Sequence, residues 1–159
     1  MKFTRNLFNG CICFFITSIA YTQNINPQTF VPSKLAKYKF GMSLDSFKLK
    51  NKTAIQEKAS SFDFRIILND SEISNEFKTV TFYFDAENSK PLYEIIIEYK
   101  DVNVMKAFIK SKLKTPNDQG DKWKWTTPDG YTFKAWTFLN KIVFALALPS
   151  TEWDESKTQ

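Results

Sequence analysis

Alternation of apolar and polar side chains is the strongest signal in this chain. Across residues 77–85, Val80, Phe82 and Phe84 fall on one side and Thr79, Thr81 and Tyr83 on the other. That is the period-2 pattern of a strand with one buried face. Residues 62–68 repeat it, with Phe62, Phe64, Ile66 and Leu68 against Asp63, Arg65 and Ile67. So do residues 92–100, with Tyr93, Ile95, Ile97 and Tyr99 against Glu94, Ile96 and Glu98. A polar turn at 69–75 and a loop ending at Pro91 separate the runs, which predicts three antiparallel strands.

The period changes at residue 101. Val104, Met105, Phe108, Ile109 and Leu113 form one stripe of an amphipathic helix, with Asp101 as its N-cap and Pro116 shortly beyond its end. Earlier in the chain Gly41 permits a sharp turn, and Ser43 is placed to cap a helix that begins at Leu44. Thr53 reads as the cap of a second short helix through Ala59.

Residues 122–149 read as a three-stranded meander. Pro128-Asp129-Gly130 fits a three-residue hairpin loop with Gly130 in the left-handed conformation. This pairs Thr127 with Tyr131, Trp125 with Phe133 and Trp123 with Ala135. Asn140-Lys141 reads as a two-residue turn, pairing Leu139 with Ile142, Thr137 with Phe144, Ala135 with Leu146 and Phe133 with Leu148. One face then collects Trp123, Trp125, Phe133, Ala135, Leu139, Ile142, Phe144, Leu146 and Leu148, as a core under the helices.

The other face collects Lys122, Lys124, Lys134, Trp136, Phe138, Val143, Ala145 and Ala147, with Trp136 standing over Ala145. Tyr83, Ile96, Glu94 and Glu98 extend it from the first half. An aromatic cluster rimmed by charge is the composition of a binding hot spot. Trp136, Phe138, Lys134, Lys122, Lys124, Tyr83 and Ile96 are therefore the candidate partner-binding residues. A second reading stays open, in which residues 23–40 or the acidic tail around Trp153 fold back over these rings.

Composition adds a destination and removes most chemistries. Lys2 and Arg5 precede an apolar run at 11–20, and small residues follow, which predicts a cleaved signal peptide over 1–22. That run is too short to span a membrane. An extended leader at 23–37, a single domain at 38–149 and a polar tail at 150–159 complete the expected organisation. Periplasmic or extracellular delivery follows, with no transmembrane segment after cleavage. Cys11 and Cys13 leave with the signal, and the chain has no histidine. Triads, cysteine nucleophiles and ordinary zinc sites are thereby excluded from the mature chain. No phosphate-cradling glycine motif exists, and no cofactor or metal is expected.

Glu94 and Glu98 share a face, but four residues along a strand is about 13 Å, too far for a glycosidase pair. Residues 117–121 (NDQGD) read as a turn and lack the oxygen series of a calcium loop. Removing Lys2 and Arg5 lowers the formal charge from +5 to +3, and the lysines interleave with acids, so no nucleic-acid partner is expected.

Helix then three strands (43–100) is followed by helix then three strands (101–148), a repeat of pattern only. The fold expected is α+β: a curved antiparallel sheet of about six strands with two helices on one face. This architecture, with Phe40-Gly41-Met42-Ser43 leading into the first helix, resembles small exported bacterial proteins of the β-lactamase-inhibitor-protein-like fold. It is similar also to small outer-membrane-assembly lipoproteins, although the chain lacks their lipid-attachment cysteine and the disulfides. The resemblance implies a non-catalytic role in which an open sheet face grips another exported or envelope protein, as adaptor, inhibitor or assembly factor. The alternative is a carrier that holds a carbohydrate or lipid on the same aromatics.

Overall fold

A computed structural model describes residues 25–58, 64–87 and 89–155. The expected signal peptide, Phe62 and Asp63 of the first expected strand, and the end of the tail lie outside the described residues. Among the described residues there are two helices, α1 (Leu44–Lys50) and α2 (Val102–Phe108), and seven strands. The strands are β1 (Ile55–Gln56), β2 (Arg65–Asp70), β3 (Phe77–Asp85), β4 (Leu92–Tyr99), β5 (Lys122–Thr126), β6 (Thr132–Phe138) and β7 (Lys141–Leu146). They form one open antiparallel sheet in the order β1-β2-β3-β4-β7-β6-β5. Two meanders thus lie edge to edge, joined where β4 pairs with β7.

The caps form as the sequence predicts. Ser43 Oγ accepts from the Ser46 N–H, and Asp101 accepts from the Asn103 N–H. After Phe108 the helix widens into a π turn, Ile109–Leu113, which buries Leu113 beside Met105. Val104, expected in the apolar stripe, is exposed.

The strand beyond the six expected is β1, which stands where the helix capped by Thr53 was expected. The Thr53 hydroxyl donates instead to Asp70 at 2.7 Å, and Asn51 Nδ2 donates to the same carboxylate at 2.8 Å. Asn51 Oδ1 accepts from the backbone N–H of both Thr53 and Ala54. This buried polar knot turns the chain straight into β1, whose register is Ile55↔Asn69 and Gln56↔Leu68. β2 accordingly runs on to Asp70, through the start of the expected polar turn.

Two other features depart from the sequence reading. A bulge between Tyr83↔Glu94 and Phe84↔Leu92 makes Tyr93 an extra residue. Leu92 takes the core position, and Tyr93 turns to the opposite face, towards Tyr83. At the second hairpin the turn residues are Leu139 and Asn140, because Phe138 pairs with Lys141. Asn140 is held to the end of β4, its side chain donating to Tyr99 O and its carbonyl accepting from Tyr99 N. That anchoring leaves Leu139 in the left-handed region, 76% exposed and out of the core. The pairing thus slips by two positions (Ala135↔Phe144), and an even slip keeps every strand residue on its predicted face. Trp136 consequently lies opposite Val143, and Lys134 takes the place beside Ala145.

The first hairpin keeps its predicted register, Trp125↔Phe133 and Trp123↔Ala135, with Gly130 at φ +83°. Both helices and residues 25–40 cover one face. Phe47 packs tilted against Phe82 at 4.6 Å and Tyr38 against Phe47 at 5.0 Å, while Phe30 meets Trp125 at 4.3 Å. Residues 25–40 are two short 3₁₀ turns, Pro27–Thr29 and Ser33–Leu35, and they bury Ile25, Val31 and Leu35 in the main core. They leave the opposite, outer face to another part of the chain.

Candidate functional site

The ladder places the outer face in cross-strand rows. One row reads Ile67, Tyr83, Glu94, Ala145, Lys134 and Lys124 from β2 to β5. The next reads Asn69, Thr81, Ile96, Val143, Trp136 and Lys122. A third holds Thr79, Glu98, Lys141 and Phe138. The seven candidate residues therefore divide: Tyr83, Lys134 and Lys124 share the first row, Ile96, Trp136 and Lys122 the second, and Phe138 the third.

The first row is occupied. After β7 the chain reverses at residues 149–151, where Thr151 bonds back to Leu148 O and Ser150 takes φ +70°. Residues 152–155 then cross the sheet as a strap. Glu152 receives Arg65 at 3.2 Å and the Tyr93 hydroxyl at 3.1 Å. The Trp153 indole N–H donates to Glu94 at 2.5 Å, and its ring meets Trp136 edge-on at 5.3 Å. Lys134 Nζ stands 5.9 Å from that ring. Glu155 receives Lys134 at 2.8 Å and Thr132 Oγ1 at 2.8 Å, with Lys124 at 3.9 Å. The indole thus lies between Glu94 and Lys134, the two cross-strand neighbours of Ala145.

Electrostatics follow from this cover. Glu94 is only 4% exposed. Burial pushes its carboxyl up to about 7, the Glu152 charge adds to the rise, and the Trp153 hydrogen bond and Arg65 oppose it. Burial, with the neighbouring Glu152, also raises the Tyr93 phenol. Hydrogen bonds from Lys134 and Thr132 hold Glu155 below the usual carboxylate range. Glu98 is lowered in the same way, chiefly by its hydrogen bond from Lys78 and also by Lys141. Arg65 lies 4.5 Å from the Tyr83 ring, so the cation contacts both an aromatic face and the Glu152 carboxylate.

Phe138, at 63% exposed, is the one candidate aromatic that stays open, and Ile96 and Trp136 are half-buried. The tail around Trp153 is one of the two covers the sequence left open, but Arg65, Tyr93, Glu152 and Glu155 were missed as parts of this site. Its one available signal was a lone tryptophan inside an acidic tail. Among the described residues no group of three His, Cys, Asp or Glu is gathered to hold a metal ion. No helix among them is long and apolar enough to cross a membrane. Compared with protein-family models, curated proteins and solved structures, the chain matches none.

Proposed function

We propose that this is a non-enzymatic binding protein of the periplasm or cell exterior, an adaptor, inhibitor or assembly factor whose outer sheet face takes a segment of another exported protein. One observation carries the reading: the chain already uses that face to seat an indole and two carboxylates. Beside the seat, Ile96, Trp136, Lys122 and Phe138 continue the surface for a longer partner. The face's two inner-strand acids support a non-catalytic role: Glu94 lies under Trp153, while Glu98 is paired to Lys78 and Lys141. The succession of helix and strands in each half belongs to the same proposal, as the duplicated scaffold suggested by resemblance to the inhibitor-like fold.

The test is a photo-crosslinking residue at Ile96 or at Phe138 in the full chain, expressed in its native envelope. A discrete crosslinked protein, lost when Trp136→Ala is added to a chain that still melts normally, is the expected result. Crosslinks at neither position would refute the reading. Quenching of tryptophan fluorescence by a carbohydrate or lipid in purified protein would favour the carrier instead.

A further inference from the structure

We infer that the row Tyr83–Glu94–Ala145–Lys134–Lys124 is a recognition site for an acidic, tryptophan-bearing peptide segment, acid–Trp–x–acid, which residues 152–155 fill in cis. This rests on the binding role proposed above and specifies its ligand. Three seats define the chemistry.

The first seat is for an indole. A carboxyl group waits at Glu94 as acceptor for the ring N–H, Trp136 supplies a ring edge-on at 5.3 Å, and Lys134 stands 5.9 Å from the centroid. Phenylalanine has no N–H for Glu94, and tyrosine carries its donor at a different position, so the seat selects tryptophan.

The second and third seats are for carboxylates. Arg65 and the Tyr93 hydroxyl converge on one oxygen of Glu152, just before the indole. Lys134, Thr132 and Lys124 converge on Glu155, two residues after it. Charge-assisted contacts of this kind hold an acid in a fixed place. The residue between, Asp154, accepts from the Ser150 N–H at 2.7 Å within the strap's own turn.

The strap is also tethered as a displaceable occupant is. It hangs from β7 by a reversal that puts Ser150 in the left-handed region, a conformation that favours glycine. Being covalently attached, it competes with any incoming segment at a high effective concentration. The wild-type site therefore reads as closed to weak ligands and open to a partner that engages the neighbouring row as well.

The experiment uses the full chain carrying Trp153→Ala and a fluorescent peptide with Glu-Trp-Asp-Glu set in a Gly/Ser background. Anisotropy is expected to show binding to the Trp153→Ala chain at least tenfold tighter than to wild type. Binding should be lost when the peptide's Trp is replaced by Ala or when Trp136→Ala is added to the chain, and weakened by salt. Equal binding of the Trp-less peptide would mean charge attraction alone and overturn the inference. Absence of binding to a folded Trp153→Ala chain would overturn it too. If Trp153→Ala does not fold, the Glu152→Ala/Glu155→Ala chain, which unlatches both ends of the strap, takes its place under the same criteria. Peptide failure with intact crosslinks at Ile96 would sink this inference alone, whereas peptide binding without any crosslink would sink the wider reading and leave the seat.

Discussion

Glu94 makes the strap sensitive to pH, and the size of the effect can be worked out. Its carboxyl moves from an ordinary 4.5 to about 7, chiefly because burial shuts it away from water. The closed form therefore holds its proton more tightly than the unfolded chain does. Below pH 4.5 both states are protonated and the burial carries no ionisation cost. Between 4.5 and about 7 the unfolded state ionises first, so stability falls as pH rises, and above about 7 the loss is complete. At about 1.4 kcal/mol per pH unit this amounts to about 3 kcal/mol between pH 4.5 and 8.

Lifting the strap rehydrates Glu94, so the free energy of strap opening caps the loss. The window is unusually clean, because with no histidine in the chain no other side chain has an ordinary midpoint between pH 5 and 8. Thermal melts of wild type should drop by roughly 10 °C from pH 5 to pH 8 if the strap stays shut. A smaller drop, with loss of protection at the Trp153 indole N–H, should appear if it opens. Glu94→Gln keeps an acceptor for that N–H and removes the titration, so its melting should be flat over the same range. A wild type flat from pH 5 to 8, with an unchanged Trp153 signal, would refute the reasoning. So would a Glu94→Gln variant that keeps the wild-type slope.

Three further substitutions probe the frame around the strap. Trp153→Ala should cost about 2 kcal/mol in urea unfolding and speed amide exchange in residues 149–155, because it deletes a half-buried ring and a hydrogen bond to a buried acid. Asn51→Ala should cost about 2–4 kcal/mol by chemical denaturation, since it takes one donor from the buried Asp70 carboxylate and the acceptor that organises the turn into β1. Leu139→Gly should raise the denaturation midpoint by an amount equivalent to about 0.5–1 kcal/mol, because an exposed leucine at φ +56° has strain to lose and little packing to forfeit.

Local chemistry made the frame legible. Ser43 and Asp101 cap where a short polar side chain precedes an apolar stripe, since capping needs only neighbours in sequence. The Pro-Asp-Gly loop set the register of the first hairpin because Gly130 alone there takes φ > 0 without strain. The second turn misled because its position depends on Asn140 reaching Tyr99, forty-one residues away, which no local propensity encodes. The Thr53 helix failed for a similar reason: Asp70 competes for the hydroxyl from a distant strand.

Away from the bulge at Tyr93, alternation along the strands decided on its own which side chains share a face, because side chains change sides at every residue and an even slip in pairing leaves that assignment intact. It therefore assigned Trp123 to the core and Trp136 to the outer face without any tertiary knowledge. What lies over each face was decided only in three dimensions. Residues 25–40 went to the core side, where their Phe30, Tyr38 and Phe40 meet Trp125, Phe82 and Phe133. The acidic tail went to the outer side, where Arg65, Lys134 and Glu94, drawn from three different strands, give its carboxylates and indole their partners.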